Sequence, residues 1–305
     1  MKLRSTLLTS LLCATMANLL FAQTPDLGNP WGDLEFHEDF IQKSNIRSIR
    51  VRQYTSRPSA RAALKQGVDM DFDSKGRLVS RASLGQSGTD TSSTETLHYH
   101  GNEVLGWTEV QDHQFDRTFR TGYRFTADHD LYQEKSYEIL PNDNRLLLQS
   151  KQYVYADGDE NLLRAIRTLE NNQVVEVHSF DYDHSGKVVA EIVEDSRGEL
   201  IKTTRYEYDQ ENRIAVVSIE ELGQVTSRYL YSYNNAGQPT RIEWFQGNTL
   251  KGIALYEYDE RGRVSHLSRT QNPETRAQET TYAVYEYRTW DELEYNDAAQ
   301  IVATN

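Results

Sequence analysis

Few side chains in this chain stand where their type and spacing could do chemistry. His98 and His100 lie two residues apart, and Asp112 with His113 comes one strand later in a hairpin. Imidazoles sharing a strand face could ligate a metal, but a solvated strand carries the same pattern. Asp157, Asp159 and Asn161 alternate as calcium-loop ligands do, yet Leu162 replaces the required Gly and Thr168 the closing Glu. Turn formation explains those residues better. The 46 acidic residues supply paired carboxylates of the glycosidase kind in abundance, with no spacing that singles one pair out. Trp107, Trp244 with Phe245, and Trp290 stand outside the register of the other aromatics. They are the candidate ligand contacts, for a sugar face or a protein partner, although packing is the commoner role of such rings. No phosphate loop, HExxH, GxSxG or nucleophilic cysteine occurs. The expectation is therefore a non-enzymatic protein with no catalytic residue, metal or cofactor.

The elements that would position these residues follow one unit, clearest at Tyr256–Val264. Tyr256 and Tyr258 share a strand face, Asp259 opens a tight turn, and Gly262 closes it three residues later. Asp73 to Gly76, Asp183 to Gly186 and Asn234 to Gly237 repeat the pattern. At Asp209 to Asn212 the Gly is replaced by Asn, the other residue that readily adopts positive φ. Turn-opening marks can be followed through Asp73, His100, Thr126, Ala156, Asp183, Asp209, Asn234, Asp259 and Arg288, at intervals of 25 to 30 residues. A second turn signal lies between most marks, as at Asp195 to Gly198, Leu222-Gly223 and Gly247-Asn248. Each repeat reads as strand, turn, strand, turn, giving about sixteen or seventeen strands. The spacing predicts that the paired tyrosines form a cross-strand ladder from repeat to repeat.

The residues Tyr256–Val264, and in weaker form Phe180–Val188 and Tyr206–Ile214, resemble the YD-repeat family, the tyrosine–aspartate repeats of Rhs-like and wall-associated proteins. The resemblance covers residues 64–288. It implies curling β-sheet and a secreted setting. It does not carry over toxin encapsulation, because this chain is too short for a shell and shows no toxin domain or self-cleavage motif.

Residues 1–22 read as a secretory signal peptide, with Lys2 and Arg4 before an apolar run ending at Ala22. Cys13, the only cysteine, would leave with it, so no disulfide is expected. The net charge of −13 would become −15 on losing Lys2 and Arg4, with 31 basic against 46 acidic residues. That balance disfavours nucleic acid and anionic membrane surfaces. No strand has a cleanly apolar face, as Thr203, Arg205 and Glu207 illustrate, so a lipid-facing barrel is disfavoured too. The expected fold class is all-β, an elongated antiparallel β-meander or repeat array. Its parts are a signal peptide (1–22), an N-terminal cap region (23–63), the array (64–288) and a C-terminal cap or tail (289–305). Within the cap a strand is expected at Ile46–Tyr54, preceded by a short helix capped by Asp33 and carrying Leu34, His37 and Ile41 on one side, with a helical turn over Ser59–Gln66.

The expected role is a secreted or envelope protein that binds a protein partner or glycan through its sheet or loops, with no membrane span after signal removal. An envelope glycan-active enzyme and a structural spacer or remnant of an Rhs-like system are the alternatives. The site is expected where the array departs from its motif: the Gly85–Ser93 and Asn272–Gln278 loops, the worn repeats between, or the off-register tryptophans.

Overall fold

The structure, a computed structural model, describes residues 23–25, 34–36, 38–57, 63–85, 90–100, 104–126, 130–155, 162–169 and 173–291. The signal segment, the Asp157–Asn161 turn, residues 86–89 of the Gly85–Ser93 loop and the tail after Asp291 lie outside these residues, while Thr91–Ser93, expected in that loop, already belong to a strand. Two short strands, β1 (Gln23–Pro25) and β2 (Leu34–Phe36), pair with each other, and the helix α1 spans Glu38–Lys43. The remaining strands are β3 (Ile46–Tyr54), β4 (Leu64–Phe72), β5 (Leu78–Leu84), β6 (Thr91–His100), β7 (Val104–Asp112) and β8 (Arg117–Phe125). They continue with β9 (Leu131–Ile139), β10 (Arg145–Tyr155), β11 (Leu162–Leu169), β12 (Val174–Tyr182), β13 (Val188–Asp195) and β14 (Leu200–Tyr208). The last six are β15 (Ile214–Glu221), β16 (Gln224–Tyr233), β17 (Pro239–Gln246), β18 (Thr249–Tyr258), β19 (Val264–Gln271) and β20 (Glu279–Thr289).

The antiparallel meander is present, but it is not an elongated array. β20 pairs with β3, from Tyr282 opposite Tyr54 to Thr289 opposite Ile46, and this seam closes β3–β20 into one eighteen-stranded barrel. Closure satisfies both edges at once, so the ends need no terminal caps against edge-to-edge pairing. The helical turn expected over Ser59–Gln66 also fails in its described part, since Leu64–Gln66 begin β4 and pair with β3.

The turn chemistry builds one rim. Asp259 accepts hydrogen bonds on its side-chain Oδ1 from the backbone of Arg261 and Arg263, both at 2.9 Å, and Gly262 sits at φ 74°. Asn212 takes the Gly position at φ 64°. After each such turn the register slips by one residue. Tyr208 pairs with Ile214, but Glu207 pairs with Val216, leaving Ala215 in a bulge. The bulge puts Ile214 and Val217, three residues apart, on one face. Pro239 with Ile242, and Val264 with Leu267, repeat this, and all six are buried.

The tyrosine ladder takes a specific form. Tyr233 donates to the Ile214 carbonyl, Tyr258 to that of Pro239 and Tyr287 to that of Val264, at 2.6, 2.6 and 2.9 Å. Each hydroxyl thus reaches back one repeat. The Arg after each turn lies over the next repeat's ring: Arg77 on Tyr99, Arg213 on Tyr233, Arg263 on Tyr287. The same three Arg are held by Asp73, Asp209 and Asp259. The Asp of the motif therefore orients a cation that packs the neighbouring repeat.

Burial separates the two faces of the wall. Ile49, Val51, Met70, Val217, Ile242, Tyr256, Leu267 and Tyr285 are buried and form one core on the inner face of β3–β4 and β15–β20. Side chains alone fill a barrel of roughly eight strands, so eighteen require something inside. Here Ile41 of α1, with Phe36 and Phe40, packs on this core, and Phe36 meets Tyr285 edge-on. The outer face of the same strands is charged. Arg52 pairs with Asp69, Arg205 with Glu220 and Arg241 with Glu243.

Candidate functional site

The inner face changes character away from that core. Cross-strand partners share a face at a pitch of about 4.8 Å. Following partners from β8, Tyr123 stands opposite Glu134, Glu134 opposite Lys151, Lys151 opposite Arg167, and Arg167 opposite Glu176. One step along, Ala165 stands opposite His178, His178 opposite Val193, and Val193 opposite Lys202. Glu191 joins on the same face, opposite Phe180 and Thr204. These rows form a continuous polar belt across β8–β14. Its face is the inner one because Glu134, Tyr153, Ala165 and Val193 in it are buried.

Two clusters carry the belt's chemistry. In the first, Tyr153 donates to Glu134 at 2.6 Å, and the Lys151 ammonium lies 3.9 Å from the same carboxylate oxygen. The Glu134 side chain is only 8 % exposed. Burial, with Glu134 beside it, pushes the Tyr153 hydroxyl well above its ordinary range, so it remains a donor. Thr121 and Ser136 share a hydrogen bond at 3.0 Å beside this cluster, and Tyr123 lies 3.5 Å from the Thr108 hydroxyl. In the second cluster His178 sits between two carboxylates, with Nδ1 2.7 Å from Glu191 and Nε2 3.5 Å from Glu176. Arg167 closes on Glu176 at 2.9 Å. The His178 bond, backed by Arg167 and opposed by burial, holds Glu176 down to about 2. Burial favours a neutral His178 ring, but its bonds to the two glutamates outweigh that and raise its pKa. Burial also raises Glu191, and His178 with Lys202 and Lys151 more than reverses it.

In these two clusters three carboxylates (Glu134, Glu176, Glu191) stand among three cations (Lys151, Arg167, Lys202) and the His178 imidazole. Such a surface presents closely mixed donors and acceptors of both signs. It suits a neutral ligand rich in hydroxyls better than an anion or a cation. His178 between two carboxylates could also move a proton.

The off-register aromatics are not brought together. Trp107 lies on the outer face of β7, stacked on His98 at 3.4 Å between centroids and covered by Arg120 at 4.3 Å. Trp244 is on β17, eight strands away by the shorter route, stacked on Tyr229 at 6.4 Å. Phe245 lies under Arg228, and Trp290 under Arg47 with its backbone N–H on Asn45. His98, His100 and His113 do not converge either: His113 bonds to Thr94, and the His100 ring lies against Gly106. Among the described residues no group of three or more His, Cys, Asp or Glu is arranged for a metal.

The belt residues were not legible as a site. Glu134, Ser136 and Glu138, then Lys151, Tyr153 and Tyr155, do step by two through the worn repeats, which is the one available signal. Reading it as a luminal face required knowing that the sheet closes.

No family profile matches the chain, and no curated protein matches it. Among solved structures, a porin-like protein from Bacteroides uniformis is similar over 80% of this chain and 98% of its own, with 9% identity and a TM-score of 0.44. A porin-like protein from Bacteroides vulgatus is similar over 78% and 97%, with 10% identity and a TM-score of 0.39. TcdB2-TccC3 is similar over 72% of this chain but only 15% of its own, with 14% identity and a TM-score of 0.34. Likenesses this loose do not establish a shared fold.

Proposed function

We propose that this protein is a water-filled binding barrel of the bacterial envelope, which takes a neutral glycan against the polar belt of β8–β14. The observation that carries this reading is the mixed-charge row Tyr123–Glu134–Lys151–Arg167–Glu176, set at the strand pitch on a face turned away from solvent outside. That pitch is of the order of a hexose ring's length, so successive hydroxyls would meet successive donors and acceptors. The envelope setting rests on the signal-like residues 1–22. The charged exterior, with exposed Arg205, Glu207, Arg228 and Glu257, is the reverse of a lipid-facing band and supports a barrel standing in water. The Tyr–Asp–Arg coupling of successive repeats supports kinship with YD-repeat proteins.

Titration calorimetry of residues 23–305 with neutral and charged oligosaccharides tests the proposal. Binding should be confined to neutral glycans and should be lost in Glu134→Gln/Lys151→Met, while the exterior variant Arg205→Ser retains it. Tight binding of charged sugars alone, or binding indifferent to the luminal pair, would overturn it.

A second reading, an envelope glycan-active enzyme, is favoured by one observation: Glu176 and Glu191 flank a single imidazole. Two carboxylates that close could divide acid and base roles. Reducing ends released by the wild type and abolished by Glu191→Gln would establish it over simple binding.

A further inference from the structure

Buried Val217 marks the inner face of β15, and the register carries that face through Tyr229 of β16 and Trp244 of β17 to Gly252 of β18. Tyr229 and Trp244 therefore belong to the luminal side of the wall. Their rings are parallel to within 10°, with centroids 6.4 Å apart. Val217, Ile242 and Tyr231 beside them on this face are buried, but both rings are only half-buried. Space-filling alone would have closed them into the core. Tyr229 packs on the edge of that core and gives the indole a fixed neighbour on one side. On the other side the cross-strand partner of Trp244 is Gly252, which brings no side chain to cover it.

The polar belt leads to these rings. The adjoining row of the inner face runs from Glu191 through Thr204 and Ile219 to Ser227 and Gln246. Ser227 and Gln246 each stand two residues from one of the rings, so hydrogen-bonding groups flank the aromatic pair. Three strand spacings, about 15 Å along the wall, separate Glu191 from Ser227. Trp244 is two residues from the end of β17, toward the rim opposite α1. We propose that Trp244, oriented by Tyr229, is a sugar-stacking site at which the glycan of the polar belt continues toward that rim. The inference rests on the neutral-glycan reading of the belt and adds a length and a sugar class to it. Spanning belt and indole takes about four rings at the strand pitch. The sugars are pyranoses with mostly equatorial hydroxyls, because their C–H faces are apolar and match the electron-rich face of the indole.

Calorimetry of residues 23–305 with β-1,4-linked glucose oligomers, from disaccharide to hexasaccharide, tests this. Wild-type affinity should rise about tenfold or more between the disaccharide and the pentasaccharide. Trp244→Leu should abolish that rise and leave disaccharide affinity unchanged, whereas Trp244→Phe, which keeps an aromatic face, should retain part of it. Should Trp244→Leu not fold, indole emission decides. The pentasaccharide should shift wild-type emission to shorter wavelength and protect it from acrylamide, and Trp244→Phe should remove both changes. Binding that needs Glu134 and Lys151 but is indifferent to chain length or to Trp244 would overturn the stacking site and leave the belt reading standing. Absence of binding to any neutral sugar would overturn both.

Discussion

Replacing Tyr153 by Phe isolates the first luminal cluster. The substitution removes one hydroxyl and almost no volume, so the cavity contribution is small. What is lost is the 2.6 Å bond from Tyr153 to the Glu134 carboxylate. Glu134 is nearly closed off from solvent, and Lys151 at 3.9 Å remains its nearest cation. A hydrogen bond to a charged group contributes about 1.5–3 kcal/mol, and leaving a buried carboxylate short of a donor sits at the upper part of that range. Tyr153→Phe should therefore cost about 2 kcal/mol in urea unfolding, with an unchanged dependence on denaturant. Tyr153→Phe/Glu134→Leu should lose less than the two single changes summed, because the unsatisfied carboxylate is gone, with a coupling of about 1 kcal/mol or more. A cost below about 0.5 kcal/mol, or strict additivity, would instead show that lumen water replaces the tyrosine hydroxyl as donor to Glu134.

Gly76→Ala and Gly186→Ala should differ sharply, although both glycines have φ near 80°. A Cβ at Gly186 meets open space and should cost about 1 kcal/mol, whereas one at Gly76 drives into the α1 backbone at Glu38 and Gln42 and should cost about 2–4 kcal/mol in the same unfolding assay. Asp259→Ala should cost about 1–2 kcal/mol by losing both backbone acceptor contacts and its hold on Arg263, while Asp259→Asn should cost less, as Asn234 serves the same turn. Stability should peak between pH 4.5 and 6.5 in the His178 cluster's contribution. Glu176, depressed to about 2, loses its contribution as pH falls from 4.5 toward 2, and His178, raised above 6.5, loses its own as pH rises through the elevated value. Unfolding of His178→Gln followed against pH should show a flattened alkaline limb. Leu222→Asn should raise stability by about 1 kcal/mol through relief of a leucine held at φ 51° in the β15–β16 turn.

Local chemistry carried much of this fold into the sequence. Asp259 and Gly262 announce their turn, Asn212 marks its own by replacing Gly, and Ile46–Tyr54 reads as a strand and is one. Closure was not legible, because no residue of β3 or β20 encodes the partner it meets across the length of the chain. The bulge at Ala215 and its counterparts were hidden as well, so the six-residue core Ile214, Val217, Pro239, Ile242, Val264 and Leu267 does not follow from strict alternation. The same two gaps concealed the belt. Glu134 and Lys151 become neighbours only through the β9–β10 register, and they become luminal only because the sheet closes.

A neutral glycan bound in the lumen, as proposed, would shield a thiol placed on the inner wall. Residues 23–305 contain no cysteine, so single reporters can be placed at will. Thr121→Cys puts a thiol on the inner wall beside Ser136, and Arg124→Cys puts one on the exposed exterior. A saturating neutral oligosaccharide should slow modification of the first thiol and leave the second unchanged. Equal rates at both positions with and without the sugar, or protection at Arg124→Cys alone, would contradict it.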